Sequence, residues 1–183
     1  MITMTAIERR AMVSLATIFL LRMLGLFMIL PVFAVYAEQL NNVTPTLVGV
    51  ALGCYGLTQA LFQIPFGFAS DYFGRKPLIF FGLILFATGS IIAAMSDSIY
   101  GIIVGRCLQG ASAIGCVVMA LVADLTREGV RVRIMAVIGV TIGIAFALAM
   151  VLGPVLSEFG GIKGLFWITA IFSLRLTLAL VIY

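Results

Sequence analysis

Six long apolar segments, separated by short polar breaks, make up most of this 183-residue sequence. A helix of about 20 apolar residues crosses the hydrocarbon core of a bilayer. Because lipid cannot satisfy an open backbone, a segment that crosses it is expected to be helical. We therefore predict an all-α integral membrane protein, a bundle of six transmembrane helices. The predicted helices cover about residues 11–36, 46–69, 77–95, 99–122, 134–157 and 163–183.

The composition argues against most soluble functions. Hydrophobic residues make up 63% of the chain and charged residues 10%, whereas soluble domains carry about 25% charged residues. The net charge of +4 does not indicate nucleic-acid binding, because the basic residues are scattered between apolar runs. There is no His, and the three Cys lie in apolar segments, so we predict no metal site. No nucleophile–base pair is visible, and we expect no enzyme.

The distribution of Lys and Arg predicts the orientation. Cytoplasmic loops of membrane proteins carry an excess of basic residues. A cytoplasmic N-terminus places seven loop cations inside and only Lys163 outside. We therefore predict a multi-pass plasma-membrane protein whose N-terminus is cytoplasmic. The cations on the predicted inner side are Arg9, Arg10, Arg75, Lys76, Arg127, Arg131 and Arg133.

Three arginines, Arg22, Arg106 and Arg175, lie inside apolar segments. A charge near the bilayer centre costs at least about 2.5 kcal/mol on insertion scales, so it normally faces a bundle interior or a wet cavity. We predict a cavity or coupling role for Arg106. For Arg22, such a role and a structural hydrogen bond are equally compatible with the sequence. Arg175 has no evident function, and its side chain can extend toward the membrane surface.

Other residues within the segments are candidates for lining a cavity or for close packing. Polar side chains in such segments more often bond a neighbouring helix than a substrate. The polar candidates are Tyr55, Gln59, Gln63 and Gln109, with Tyr36 and Thr141. Glycines four residues apart allow helix backbones to approach closely. Such pairs are Gly49/Gly53, Gly101/Gly105 and Gly139/Gly143.

The most specific pattern is the break between the second and third segments, with Gly67, Asp71, Gly74, Arg75 and Lys76. Gly67 is expected to allow close helix contact, and Gly74 to permit the positive φ of a tight reversal. Asp71 is placed to accept backbone N–H groups at the start of the next helix. Arg75 can bond a carboxylate through two donors.

Asp124, at the predicted inner end of the fourth segment, is the expected partner of this break. The topology places Asp71, Arg75 and Asp124 on the same face of the membrane. A network among them would tie two three-helix repeats together. The alternative is an ordinary cytoplasmic turn that carries positive charge.

The break resembles the signature Gly-x3-Asp-(Arg/Lys)-x-Gly-Arg-(Arg/Lys) of the major facilitator superfamily. It departs from that signature at Tyr72, where the family usually has a base. The stretch Arg106-x-x-Gln109-Gly110 is similar to a helix-four motif of proton-coupled members.

Two further stretches resemble the drug:proton antiporters of this superfamily. The first is Leu24-Gly25 followed five residues later by Pro31-Val32. The second is Gly153-Pro154, which resembles the end of the antiporter motif, although Ala149 stands where that motif has Gly.

The resemblance implies the N-terminal half, with three-plus-three inverted repeats, of a carrier made of two six-helix bundles. It implies proton-coupled efflux of small drug-like molecules across the bacterial inner membrane by alternating access. The Asp71–Arg75–Asp124 network would stabilise the state closed on the cytoplasmic side. The energy source would be the proton gradient, without a cofactor. The implied partners are a small-molecule substrate, membrane lipid and a missing C-terminal six-helix half.

Other interpretations stay open at this point. The chain is also compatible with a metabolite symporter or uniporter on the same fold, or with a non-transporting half-length module or remnant. Because the sequence stops at the end of its sixth apolar segment, we expect a fragment of a longer protein. No acid lies at mid-membrane depth, so the proton acceptor would be an interfacial acid such as Glu38 or a residue of the missing half.

Overall fold

The computed structural model describes residues 5–36 and 43–182, which form a bundle of long helices. The helices are α1 (Ala6–Tyr36), α2 (Pro45–Phe73), α3 (Arg75–Met95), α4 (Ile99–Ala111), α5 (Ile114–Leu125) and α6 (Glu128–Ile182). Glu38 lies outside the described residues, as does the side chain of Tyr36.

The predicted fourth helix is divided into α4 and α5. Ser112 and Ala113 leave helical geometry, with ψ angles of 53° and 52°. The break contains neither Gly nor Pro, which are the usual sequence signals for an interruption. The two helices together still form one apolar crossing, Ile99–Leu125.

The predicted fifth and sixth helices are the two limbs of α6, 128–160 and 162–182, which meet at Gly161. This residue has φ 59° and ψ −160°, a conformation that favours glycine. Positions 153 and 169, equally far before and after it, both contact the same part of α1. A Cβ on Gly153 would lie 2.7 Å from the Met28 carbonyl oxygen, and the Thr169 hydroxyl donates to the Gly25 carbonyl oxygen at 3.2 Å. The chain therefore doubles back at Gly161, and its described part crosses the bundle six times.

Helix α1 lies at the centre of the packing and contributes to two buried clusters. Towards one end, Leu15 and Ile18 pack with residues of α3, α5 and both limbs of α6. Towards the other end, Met28 and Ile29 pack with residues of α4 and both limbs of α6. By contrast, the most apolar stretches of α2 and α6 are only 17% and 22% buried, against 50% to 56% for the other crossings.

The glycine pairs behave differently from one another. Gly105 lies against α3, where a Cβ would be 2.5 Å from the Gly89 carbonyl oxygen. Around Gly49 and Gly53, and likewise around Gly139 and Gly143, no described atom lies within 4 Å of an added Cβ. The prediction of close packing is therefore wrong for these two pairs within this chain. They lie on the poorly buried faces of α2 and α6.

Candidate functional site

Arg75 connects three helices at one end of the bundle, which we call the charged end. Its Nε donates to Asp124 Oδ2 at 3.0 Å, and its Nη1 lies 2.6 Å from Asp71 Oδ1. The Ser70 hydroxyl accepts a further hydrogen bond from Nη1. The guanidinium side chain is 22% exposed, and the two carboxylates are 63% and 53% exposed. The structure thus brings together the three residues that the sequence places on one face.

Two expected local details of this segment are wrong. Helix α2 continues through Phe73, so Asp71 lies inside its last turn and does not cap α3. The residue before α3 is Gly74, which has a φ of 93° and provides no side-chain cap. No described atom lies within 4 Å of a Cβ built on Gly67, so the expected close contact is not present there. Lys76 is exposed in the first turn of α3.

A second ion pair at the charged end was not predicted from the sequence. Glu8, only 3% exposed, accepts from Nε and Nη2 of Arg127, each at 2.9 Å. The same carboxylate accepts the Thr5 backbone N–H at 2.8 Å, and the Thr5 hydroxyl accepts the Glu8 N–H at 3.2 Å. This reciprocal pattern is a capping box. The carboxylate also raises the pKa of the Arg127 guanidinium, which lies between α5 and α6. The pair therefore fixes the start of α1 to the α5–α6 connection.

Replacing Glu8 with Gln is expected to loosen this attachment. Gln keeps the size of the side chain but removes the negative charge, and charged hydrogen bonds are stronger than neutral ones. We expect backbone hydrogen exchange at the start of α1 and around Arg127 to become roughly fivefold faster, measured by mass spectrometry. Glu158→Gln, which removes an exposed acid near the opposite end of the first limb of α6, is the control and should leave exchange unchanged. Equal rates in Glu8→Gln and the unaltered chain would contradict the attachment.

Arg106 is the centre of a buried polar cluster inside the bundle. Its side chain is enclosed, and Nη1 donates to Gln109 Oε1 at 3.0 Å. Gln109 Nε2 in turn donates to the Ser90 hydroxyl on α3 at 2.7 Å. The guanidinium carbon lies 4.8 Å from the ring centroid of Tyr55 on α2, a cation–π distance. Arg106 Nε and the Tyr55 hydroxyl have no hydrogen-bond partner among the described residues.

Two other predicted cavity residues lie further along α2. Gln59 is half-buried and Gln63 is exposed, one and two turns beyond Tyr55. The structure therefore brings Arg106, Gln109 and Tyr55 into one cluster and leaves the two glutamines on the open face of α2.

Arg22 lies at the break between α4 and α5. Its Nη2 donates to the Ser112 carbonyl oxygen at 3.0 Å, and the guanidinium carbon lies 5.4 Å from the ring centroid of Phe86. The structure shows the structural hydrogen bond that the sequence left open for Arg22, whereas its Nε and Nη1 have no hydrogen-bond partner among the described residues. Arg175 is exposed on the second limb of α6. At the other end of the bundle, Lys163 pairs with Asp97.

Six apolar crossings with enclosed arginines and a charge network at one end describe a multi-pass membrane protein of the carrier type. The family model of the Major Facilitator Superfamily matches residues 15–183. The chain therefore belongs to this superfamily, and the predicted family and fold class are confirmed.

Individual relatives agree with this assignment. The inner membrane transport protein YajR of Escherichia coli (strain K12) is 58% identical over 93% of this chain and 37% of its own length. An uncharacterized transporter of Buchnera aphidicola subsp. Schizaphis graminum is 45% identical over 93% of this chain and 44% of its own length. The class B tetracycline resistance protein of Escherichia coli is 30% identical over 78% of this chain and 35% of its own length. The chain thus spans less than half of these relatives.

The fold also matches a solved structure. The human organic anion transporter MFSD10 (TETRAN) superposes with a TM-score of 0.79, covering 96% of this chain and 47% of that protein, at 23% identity. At this identity the match concerns the fold alone. It agrees with the half-carrier architecture expected from the sequence.

Proposed function

We propose that this chain forms the N-terminal half of a proton-coupled exporter of small molecules in the bacterial inner membrane, with its N-terminus in the cytoplasm. The main support is the position of Arg75 at the start of α3. It pairs with Asp71 in the last turn of α2 and with Asp124 at the end of α5, and so connects the three helix ends. The names of two relatives, an inner membrane transport protein and a tetracycline resistance protein, support this direction of transport and this membrane. The proton gradient supplies the energy, and no cofactor is needed.

The network at the charged end stabilises the state that is closed to the cytoplasm. Carriers of this architecture alternate between two openings as their halves rock against each other. Inward opening separates the helix ends at that side, so the bonds from Arg75 to Asp71 and Asp124 break or rearrange. A proton can drive this step only if it binds one state better than the other.

The second six-helix half covers the poorly buried faces of α2 and the first limb of α6. Both faces are mainly apolar, although Gln59 and Gln63 lie on that of α2. They carry the open glycine pairs Gly49/Gly53 and Gly139/Gly143, whose spacing suits close helix contact. The acids of the described chain lie near helix ends and turns. The proton-binding acid is therefore either Glu38, which lies outside the described residues, or an acid of the second half.

Replacing Asp124 with Asn in the complete transporter tests the network. Asn cannot form the ion pair with Arg75, so the state closed to the cytoplasm is destabilised relative to the inward-open state. We expect gradient-driven accumulation of ethidium in everted vesicles, where export appears as uptake, to fall about fivefold or more, the size of a typical coupling between sites. Spin labels on the two halves at the charged end should report a larger fraction of long distances.

The matched control is Asp97→Asn, which removes an exposed acid from the ion pair at the opposite end. It should leave both measurements unchanged. Unaltered export and unaltered distances in Asp124→Asn would overturn the proposed role of the network. Ethidium moving together with protons, instead of against them, would favour a symporter.

A further inference from the structure

A groove at the charged end is separate from the charge network. It opens between α1, the start of α3, the end of α5 and the end of α6, and has a volume of about 320 Å³. None of the three network residues lines it. Its volume lies within the roughly 300–1,000 Å³ of small-molecule sites in proteins.

The rim of the groove is basic. Arg10 and Lys76 stand on α1 and α3, and the Ser14 hydroxyl lies one turn beyond Arg10. The other lining residues include no acid. Within residues 5–36 and 43–182, neither Arg10 nor Lys76 takes part in an ion pair. The rim therefore presents two cations without a counter-ion.

The walls of the groove are aliphatic and run deeper into the bundle. Leu15 and Ile18 continue from the rim along α1 and face side chains of α5 and α6; those side chains are Leu121, Leu125 and Leu180. Ile18 lies about 12 Å beyond Arg10 along the helix, at about 1.5 Å per residue. The groove thus changes from cationic at the helix ends to apolar toward the membrane interior.

We propose that this groove is a binding site for an anionic phospholipid of the adjacent leaflet. The phosphodiester lies between Arg10 and Lys76, with the Ser14 hydroxyl donating to a phosphate oxygen, and one acyl chain lies along the aliphatic wall. Basic pockets between transmembrane helices bind anionic headgroups in this way. A zwitterionic lipid is less suited, because its own ammonium group meets two unpaired cations. A free phosphate lacks the chain that the wall accepts.

The test is native mass spectrometry of the purified chain, titrated separately with dioleoyl phosphatidylglycerol, dioleoyl phosphatidylcholine and glycerol 3-phosphate. We expect one phosphatidylglycerol to be retained under conditions that remove the other two compounds. Arg10→Gln and Lys76→Gln should each weaken this binding about fivefold, the usual contribution of one basic residue at an anionic surface. Ala11→Phe, which fills the groove and keeps both cations, should weaken it as well.

Arg9→Gln is the matched control, since it removes an exposed neighbouring charge outside the groove. It should bind phosphatidylglycerol like the unaltered chain. An equal loss in Arg9→Gln would overturn the site in favour of diffuse surface attraction. So would full binding by Ala11→Phe, or glycerol 3-phosphate binding as tightly as the lipid. Circular dichroism of each variant identifies a loss that comes from misfolding. The readout does not depend on transport, so the outcome is independent of the proposed function.

Discussion

A leucine in place of Gly105 is expected to prevent α3 and α4 from packing together and to leave the bundle largely unfolded. A Cβ at this position would lie 2.5 Å from the Gly89 carbonyl oxygen and 2.8 Å from the Cβ of Ala93. Neither atom is the end of a flexible side chain, so the helices themselves must move apart. The contact is reciprocal, because a Cβ on Gly89 would lie 2.6 Å from the Gly105 carbonyl oxygen. Overpacking costs about 1–3 kcal/mol and occasionally more, and we expect the upper end or beyond.

Thermal unfolding in a mild detergent, followed by circular dichroism and by size-exclusion chromatography, measures this effect. The matched control is Gly139→Leu, which adds the same side chain where no described atom lies within 4 Å of the new Cβ. It should change stability by no more than about 0.5 kcal/mol, as surface substitutions usually do. A Gly105→Leu chain that unfolds at the same temperature as the unaltered chain would contradict the close approach of α3 and α4. Equal damage from Gly139→Leu would show that the loss does not depend on that contact.

These two glycines also show what a spacing rule can and cannot predict. The four-residue spacing identifies a face where a helix can be approached closely, and it occurs in both pairs. It does not identify the neighbour. Gly105 meets α3 of the same chain, whereas Gly139 lies on the poorly buried face of α6. The difference depends on tertiary arrangement, which the local sequence does not contain.

The charge network could be anticipated because it depends mainly on topology. An even number of crossings separates the break after α2 from the end of α5, so Asp71, Arg75 and Asp124 necessarily share one face of the membrane. The expected role of Asp71 at the start of the next helix was wrong because the second predicted helix was ended too early, at about residue 69. Helix α2 extends to Phe73 and keeps this carboxylate within its last turn.

Other features depend on contacts between residues far apart in the chain. The break at Ser112 has no local signal, and its carbonyl oxygen is satisfied by Arg22, 90 positions away. The pair of Glu8 and Arg127 joins residues 119 positions apart. Only its local half, the Thr5–Glu8 capping box, is recognisable from sequence spacing. A single sequence indicates which groups need partners, but not which distant groups provide them.

Replacing Arg106 with Met is expected to reduce proton coupling much more than it reduces the stability of the bundle. Burying the arginine charge at membrane depth costs about 2.5–3.5 kcal/mol on insertion scales. Its hydrogen bond to Gln109 returns about 1.5–3 kcal/mol, as bonds to charged groups do. These terms nearly cancel and Met fills similar space, so the main loss is at the buried Gln109 Oε1, which is left without this donor at a cost of about 1–3 kcal/mol. We therefore expect the variant to stay folded and to unfold no more than about 10 °C below the unaltered chain.

Transport should respond much more strongly. Arg106 contacts Tyr55 on α2 and reaches α3 through Gln109 and Ser90, so its charge influences three helices at once. Under the proposed function, removing it should lower proton-driven accumulation of ethidium in everted vesicles of the complete transporter by about 5- to 150-fold, the range of typical coupling energies. Ethidium exchange without a proton gradient should persist, because the packing that forms the pathway is retained.

The control for this prediction is Arg175→Met, which removes an arginine that is exposed on the second limb of α6. It should leave driven export and exchange unchanged. If Arg106→Met exports ethidium normally, Arg106 has no coupling role and its cluster is structural. If the variant loses its fold, the chain of hydrogen bonds from Arg106 through Gln109 to Ser90 and the contact with Tyr55 hold the helices together, and the charge contributes to stability more than its burial costs. Only loss of driven export with retained fold and exchange assigns Arg106 to proton coupling, because neither packing nor substrate binding then accounts for the loss.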